Sequence, residues 1–393
     1  MIQLLWEKRK GLNEFALVSG GKLTDYRVFP DEGVFPEQVY LAKVDRIARG
    51  MGAAFLRLPG DIPGFLPLAE AKEPLAGGQL VPVQVKKPPV GDKAAYLTQD
   101  ISLAGRYLIL LPMSSRAAVS SRVTDLKQKE RLLEIARALR PDGMGLILRR
   151  ESAGAAHEQL TRELQRLSNL WDSLTGLLKK SAAPALLWNG RPPLERALED
   201  WEQADQLTAD DESLRAQCEG MSFQYHPEPF SLFSVREQRS RLLARRVWLP
   251  SGGYLVVDPC EALTVIDVNT GKAPARGKDR EELFLKTNLE AVRVIGRLLR
   301  VRGVGGIIVI DLIDMEREAS RARVLEEMNL VVLTDPVKCV VHGFTSLGLL
   351  EMTRKKTDVA PCHHQTQATP CPHCGGTGLI AEGNAHDTEN LPG

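Results

Sequence analysis

Two aspartates in the second half of the sequence each end a run of aliphatic residues typical of a buried strand. Asp267 closes TVID and Asp311 closes IIVID, and a further polar residue follows each of them, Asn269 or Asp314. If the two strands are neighbours in a parallel sheet, both carboxylates emerge at the same carboxyl edge, where open α/β sheets bind ligands. The carboxylates would repel each other there unless a cation lay between them.

Magnesium suits such a site because it takes hard oxygen ligands and keeps several of its waters. A Mg²⁺ ion held this way can orient a water molecule and offset charge on a phosphoryl group under attack. The alternative is that each aspartate only caps the loop or helix after its strand. The residue pattern by itself leaves both interpretations open.

Near the end of the sequence, Cys371 and Cys374 form a C-x₂-C pair whose thiolates can hold one tetrahedral metal ion. A structural zinc needs four ligands, so two more are required. The same knuckle of a second subunit could supply them, which the position after a polar linker favours. The candidates within the chain are Cys362, His363, His364 and His373. A reduced surface thiol pair is the remaining alternative.

Aromatic and basic residues indicate contacts with nucleic acid. Phe55 and Phe65 lie in short predicted strands with Lys93 nearby, and an OB-type barrel stacks bases on aromatics beside a positive groove. The alternative is that both rings belong to the core of the barrel. Arg149 and Arg150, at the end of another strand, could bind a phosphate through bidentate hydrogen bonds.

The elements that must position these residues follow from the hydrophobic pattern. A hairpin opens the chain, and short strands broken by Gly and Pro then fit a small OB-type barrel. A mixed segment with a long amphipathic helix follows, and the polar stretch ADQLTADDESL is predicted to be a loop or weak helix. From about Arg246, a strand–helix–strand pattern predicts an α/β sheet, with further strands at LVVLTD and KCVVHG.

Composition argues against a membrane-spanning protein and against a secreted, disulfide-rich one. The 393 residues predict two to four subdomains, and a formal net charge of +1 means that RNA would be bound through local patches. No apolar run is long enough to span a bilayer, and the N-terminal sequence lacks the apolar core of a signal peptide. Six scattered cysteines do not suggest a secreted disulfide framework. We therefore expect a cytoplasmic protein with no membrane partner.

Taken together, the motifs resemble those of the ribonuclease E/G family, and they occur in the family's order along nearly the whole chain. The most specific part runs from Leu249 to Met315. The matching stretches are GAAFLRL, GFLPL, ISLAGRYLILLP, GMGLILRR, LPSGGYLVVD, EALTVIDVNTGK, TNLEA, GGIIVIDLIDM, GLLEM and CPHCGGTG.

The resemblance implies a multidomain α/β fold in which an OB-fold RNA-binding barrel is inserted in a ribonuclease-H-like subdomain that is not catalytic. A deoxyribonuclease-I-like α/β catalytic subdomain and a zinc knuckle follow. The implied boundaries are residues 1–35 plus 190–245 for the ribonuclease-H-like subdomain, 36–104 for the OB fold, 105–189 for a 5′-sensor region, 246–355 for the catalytic subdomain, 356–380 for the zinc link and 381–393 for a disordered tail.

The resemblance also assigns roles to individual residues. The catalytic set is Asp267 and Asp311, which would hold Mg²⁺, together with Asn269. The RNA-contacting set of the barrel is Phe55, Phe65 and Lys93. The pocket that senses a 5′-monophosphate is Gly105, Ile109 and Arg149, with Arg150 and Lys338 at two further sensor positions. The pair that would share a Zn²⁺ between two subunits, and so hold a homodimer together, is Cys371 and Cys374.

Two sensor positions depart from the family's pattern. Arg150 stands where the family usually has Thr, and Lys338 stands where it has Arg. Lysine keeps the charge but loses the planar fork of a guanidinium, which leaves the 5′ preference open. The family's small C-terminal dimerisation domain does not follow the knuckle, so neither a tetramer nor a scaffold role is expected.

These features predict a Mg²⁺-dependent endoribonuclease that cuts single-stranded RNA in RNA processing or decay. It would leave 5′-phosphate and 3′-hydroxyl ends and favour 5′-monophosphorylated RNA. The alternative is a non-catalytic RNA-binding protein on the same scaffold, but such a protein would not need two carboxylates facing RNA phosphates. A zinc-dependent hydrolase is disfavoured because the knuckle lies on a linker remote from the acidic strands.

Overall fold

The computed structural model describes residues 1–89, 91, 93–121, 123–201, 203–218, 221–271 and 278–356. The chain divides into two compact units, one made of Pro30–Glu202 and the other of Met1–Phe29 with the chain from Gln203 onward. The predicted zinc link and tail, from residue 357, lie outside the described residues. Residues 30–35 and 190–202, which the implied ribonuclease-H-like boundaries include, belong to the Pro30–Glu202 unit.

Strands are more numerous than helices in the described part of the chain. In chain order they are β1 (Ile2–Arg9), β2 (Leu12–Ser19), β3 (Lys22–Pro30), β4 (Val39–Ala48), β5 (Ala53–Arg57), β6 (Pro63–Pro67), β7 (Leu80–Lys87), β8 (Ala95–Thr98), β9 (Leu103–Ala104), β10 (Leu108–Leu111), β11 (Ala117–Val119), β12 (Gly145–Leu148), β13 (Ala185–Trp188), β14 (Gln206–Ala209), β15 (Ser222–Tyr225), β16 (Arg246–Trp248), β17 (Tyr254–Pro259), β18 (Leu263–Asn269), β19 (Gly306–Asp311), β20 (Cys339–Phe344) and β21 (Leu350–Arg354).

Helices connect and cover these strands. They are α1 (Leu126–Leu139), α2 (His157–Lys180), α3 (Pro193–Asp200), α4 (Val235–Leu243), α5 (Lys278–Arg302) and α6 (Glu318–Leu333). Short 3-10 turns cover Arg49–Met51, Pro59–Asp61, Leu68–Glu70, Arg150–Gly154, Glu212–Gln217 and Pro229–Phe233. Within the described residues, none of the helices combines the length and apolar character needed to cross a bilayer.

A closed barrel forms the first part of the Pro30–Glu202 unit. Its strands follow the order β4-β5-β6-β8-β7, and β7 pairs back onto β4 to close the ring, while β13 adds to the outside of β4. The strands alternate, so that Val81, Val83 and Val85 of β7 point into the barrel core. This arrangement fits the OB-type barrel predicted from the sequence.

The rest of that unit is a small sheet packed on helices. The sheet has the order β9-β10-β12-β11. Its core is completed by α2, which buries Leu160, Leu164, Leu167, Trp171 and Leu174. These residues recur every three or four positions and so form one apolar stripe along the helix, as the sequence predicted.

The first sheet of the other unit joins segments distant in sequence. Its order is β15-β14-β1-β2-β3, with β1 antiparallel to β2 and parallel to β14. The stretch ADQLTADDESL was expected to be a loop or weak helix, and that prediction was wrong for its first part, which forms β14. Leu207, Thr208 and Ala209 are all buried there. The polar residues of this stretch gave it the composition of a loop, although its first part forms a strand.

The second sheet of this unit carries the predicted carboxylates. Its order is β16-β17-β18-β19-β21-β20, and α5 crosses from β18 to the parallel strand β19. Buried residues from the sheet, α5 and α6 share one core. The strand predicted at LVVLTD was wrong, because α6 continues to Leu333. Val331 and Val332 pack partly against the core, whereas Leu330 and Leu333 are exposed, so this apolar run is the last turn of a helix.

Candidate active site

Strands β18 and β19 bring the two predicted aspartates side by side. They are parallel neighbours, and their register places Asp267 directly opposite Asp311. Residues that alternate with the aspartates, Ile266 and Ile310, are fully buried in the core. Because side chains alternate along a strand, the aspartates project from the opposite, exposed face of the sheet.

Hydrogen bonding and charge distinguish the two carboxylates. The side-chain amide of Asn269 donates to Oδ2 of Asp267 at 2.7 Å, which fixes the orientation of that carboxylate. Burial raises the pKa of Asp311, and the negative charges of Asp267 and Asp314 raise it further. The folded chain therefore disfavours having both aspartates ionised without a compensating cation.

The loop that follows Asp311 is held by a buried amide from α5. Asn288 is fully buried, and its Nδ2 donates to the carbonyl oxygen of Ile313 at 2.8 Å. The Ile313 amide in turn donates to Oδ1 of Asn288 at 3.1 Å. Asn288 thus positions the segment that carries Asp314. The sequence offered one signal for this role, an asparagine on the core side of a helix.

Glu281 of α5 holds the next segment of the same loop. Its carboxylate accepts hydrogen bonds from the backbone amides of Glu316 at 3.1 Å and Arg317 at 3.2 Å. A hydrogen bond from Ser320, followed by the two backbone amides, lowers the pKa of Glu281. An ionised carboxylate at this point also favours the N-terminus of α6. Sequence reasoning missed Glu281.

The two aspartates offer oxygen ligands for a divalent cation. No group of three or more His, Cys, Asp or Glu side chains suited to a metal is present among the described residues. Mg²⁺ does not require one, because it is commonly held by one or two carboxylates together with water and phosphate oxygens of the substrate. The donor set and the mutual repulsion of Asp267 and Asp311 therefore fit Mg²⁺.

Aromatic residues form a continuous row on the outside of the barrel. Phe55 pairs with Phe65 across β5 and β6 with ring centroids 5.8 Å apart, and Phe65 pairs with Tyr96 of β8 at 6.0 Å. The guanidinium of Arg46 lies 4.5 Å from the centroid of Phe55. The rings are half-buried, whereas Lys93, just before β8, is exposed. Tyr96 was missed, although its alternation with the apolar residues of β8 was visible in the sequence.

The structure also brings together three of the predicted 5′-sensor residues. Nη1 of Arg149 donates to the carbonyl oxygen of Gly105 at 2.8 Å, and Ile109 of β10 lies opposite Ala104, the residue before Gly105. Arg149 is only 8% exposed, and its guanidinium forms an ion pair with Glu199. Arg150 is more exposed and lies 3.6 Å from Glu151. Lys338 lies in the other compact unit, immediately before β20.

An internal carboxylate occupies the backbone amides beside Gly105. Glu163 of α2 accepts from the amides of Arg106, Tyr107 and Leu108 at 2.7, 2.8 and 2.9 Å. A Cβ on Gly105 would lie 2.4 Å from Cδ of Glu163, so only glycine permits this approach. A phosphate arriving at these amides would meet a carboxylate that already binds them. The sequence gave no signal for this contact.

Comparison with known proteins agrees with the resemblance of the motifs. Residues 102–357 match the model of the "Ribonuclease E/G family". The chain is 33% identical to "Ribonuclease G" of Escherichia coli (strain K12) over 377 residues, which cover 87% of this chain and 76% of that protein. It is 30% identical to "Ribonuclease G" of Haemophilus influenzae, covering 96% of this chain and 84% of the relative.

A ribonuclease E from a cyanobacterium is similar over a smaller part of its own length. "Ribonuclease E" of Synechocystis sp. is 33% identical over 376 residues, which cover 88% of this chain and 55% of that protein. The barrel, the paired aspartates and these matches define one class of protein, the RNA-cleaving enzymes. The chain belongs to the ribonuclease E/G family.

Proposed function

We propose that this chain is a Mg²⁺-dependent endoribonuclease that cuts single-stranded RNA and uses Asp267 and Asp311 to hold the metal. The observation that carries the proposal is the direct register of these two aspartates on the exposed face of the sheet, with Asn269 bonded to one of them. As a member of the ribonuclease E/G family, the chain is an endoribonuclease, a hydrolase acting on RNA in its processing or decay.

Each group has a separate role in the proposed reaction. Mg²⁺, when bound, would orient a water and offset the charge that develops on the phosphoryl group. Asp267 and Asp311 would hold the ion, and Asn269 keeps the carboxylate of Asp267 in one orientation. The water oxygen bonds to phosphorus as the bond from phosphorus to the 3′ oxygen breaks. The attacking water gives up a proton to solvent, and the leaving 3′ oxygen takes one up from solvent. The products are a 5′-phosphate and a 3′-hydroxyl.

The row of Phe55, Phe65 and Tyr96 is proposed to bind the single strand. Exposed ring faces stack on bases of any sequence, and Arg46 and Lys93 supply positive charge beside them. In the proposed assembly, Cys371 and Cys374 of two chains share one Zn²⁺ and make a homodimer.

A cleavage assay on short single-stranded RNAs tests the proposal. We expect cleavage with Mg²⁺ and none after chelation. Asp267→Asn should lower the rate by at least about 100-fold, the scale of losing a group that stabilises the transition state. The matched control is Asp258→Asn, which removes an exposed aspartate from β17 that pairs with Arg245. Wild-type protein that binds these RNAs but leaves them intact would instead identify a non-catalytic RNA-binding protein.

We further propose a modest preference for RNA with a 5′-monophosphate. Arg149 and Arg150 supply positive charge, but Arg149 is already paired with Glu199, and the amides near Gly105 already bind Glu163. A 5′-monophosphorylated RNA should be cut faster than its 5′-hydroxyl twin. The ratio of the two rates should be smaller than it would be if the arginine side chains were not already paired with carboxylates. Glu199→Gln should enlarge the difference because it removes the negative charge of the nearer of the two carboxylates that pair with Arg149. Equal rates for the twins in both proteins would exclude a 5′ sensor.

A further inference from the structure

A second row of side chains crosses the exposed face of the catalytic sheet beside the aspartates. The register pairs Trp248 of β16 with Tyr254 of β17, and Tyr254 with Asn269 of β18. Residues directly opposite each other in neighbouring strands project from the same face. Val247 and Leu255, which alternate with this row, are buried in the core. Trp248 and Tyr254 therefore share the face that carries Asp267 and Asp311.

The two aromatic residues of this row, Trp248 and Tyr254, form a surface that we call the platform. Trp248 is 62% exposed, whereas Trp6, Trp171 and Trp201 are each at most 9% exposed. The Trp248 and Tyr254 rings lie edge to face with centroids 5.3 Å apart. The guanidinium of Arg246 lies 4.6 Å from the centroid of Tyr254. One large ring face is thus held by its neighbours while remaining open to solvent.

The platform lies close to the carboxylates. The next row along the strands contains Arg246, Val256, Asp267 and Asp311 in register. With about 4.8 Å between strands and about 6.8 Å between successive residues on one face, Tyr254 lies roughly 8 Å and Trp248 roughly 12 Å from Asp267 along the sheet. These are distances that a nucleotide next to a phosphate at the aspartates can reach.

We propose that Trp248 and Tyr254 form a subsite that stacks a base of the RNA next to the cleaved bond, with Arg246 contacting the adjoining phosphate. The inference rests on the proposed function. An RNA base is favoured over an apolar protein surface because Arg246, Asp267 and Asn269 share the exposed face of the sheet with the rings. The centre of a protein interface is usually depleted of charged groups, whereas a single-stranded site combines aromatic faces with cations.

A series of RNAs lacking one base at a time tests this subsite. With wild-type protein, removing the base that occupies the platform should slow cleavage by about 5- to 150-fold, the range expected for loss of one base stack. Trp248→Ala should lower the rate on intact RNA by a similar factor and be insensitive to removal of that base. Trp248→Phe should restore part of both effects. The matched control is Tyr225→Ala, which removes a 50% exposed aromatic from β15.

Binding measurements separate failure of the subsite from failure of the proposed function. In the Asp311→Asn background, short RNA should quench the fluorescence of Trp248, and the quenching should vanish in Trp248→Phe. Such quenching without cleavage by the wild type would overturn the proposed function and retain the subsite. An unchanged profile across the base-removal series in Trp248→Ala would overturn the subsite. If Trp248→Ala had a lower molecular mass in solution than the wild type, with unchanged cleavage rates across the base-removal series, the ring would instead belong to a contact between chains.

Discussion

At the scale of single residues, the two aspartates of the site lower the stability of the metal-free folded protein. Asp267 and Asp311 face each other in register, and burial with the charges of Asp267 and Asp314 raises the pKa of Asp311. A carboxyl group whose pKa is raised by folding makes the folded state less stable at pH values where the group is ionised. This contribution disappears as the pH falls toward and below the ordinary carboxyl pKa. Function therefore opposes stability at this site.

Asp311→Asn should accordingly stabilise the metal-free protein while removing its activity. At neutral pH we expect the melting temperature to rise by on the order of 1 °C, a small effect because solvent screens an exposed carboxylate. Mg²⁺ should raise the melting temperature of the wild type but not of the variant. Calorimetry with and without Mg²⁺ measures both effects.

The control for that prediction is Asp258→Asn, which should not be stabilised because it loses its pair with Arg245. The advantage of Asp311→Asn should shrink in acid, where the wild-type carboxyl group is protonated. A metal-free Asp311→Asn protein that melts below the wild type at neutral pH would show that Asp311 makes a stabilising contact instead.

At the scale of elements, strands with a clear apolar pattern were predictable and contacts between distant residues were not. The runs TVID and IIVID predicted β18 and β19 together with the aspartates, because both strands bury one face completely. The run LVVLTD misled because β-branched residues also occur in the last turn of a helix, here α6. The contact of Glu163 with the amides of residues 106–108 joins elements that no local pattern connects.

The aromatic row of the barrel should account for a large part of RNA binding. Phe55→Ala, Phe65→Ala and Tyr96→Ala should each weaken binding by roughly 1–3 kcal/mol, because each removes a surface on which a base can stack. The matched control is Leu126→Ala, which shortens an exposed apolar side chain of α1 in the same compact unit. Titrations with a fluorescent single-stranded RNA measure the dissociation constants.

Thermal melting of the same variants separates binding from folding. The rings are half-buried, so a small loss of stability is expected alongside the loss of binding. Variants that unfold at a much lower temperature but bind RNA normally below it would place these rings in the core, as the alternative interpretation of the sequence holds.

At the scale of the whole molecule, the chain leaves one compact unit and returns to it. Strand β1 pairs with β14, about two hundred residues later, and the Pro30–Glu202 unit is formed by the chain between them. The hairpin of β2 and β3 could be predicted because its two strands are adjacent in sequence and joined by Gly20 and Gly21. The pairing with β14 could not, because short polar strands do not specify a distant partner.

Zinc content tests the predicted assembly of two such chains. Cys371 and Cys374 lie outside the described residues, and their two thiolates are half of the four ligands that a structural zinc needs. If a two-fold axis passes through the ion, metal analysis should give about half a zinc per chain. Cys371→Ser should lower both the zinc content and the molecular mass in solution, because the shared ion also cross-links the chains.

The matched control is Cys260→Ser, which removes an exposed free thiol and should leave zinc content and mass unchanged. The competing arrangement completes the site within one chain, with Cys362 and a neighbouring histidine as the remaining ligands. It requires a full zinc per chain and a mass that chelation does not alter. The stoichiometry and the response to chelation must therefore agree before either arrangement is accepted. A stable dimer that contains no zinc would exclude both, since neither arrangement then explains why the thiolates stand at metal-binding spacing.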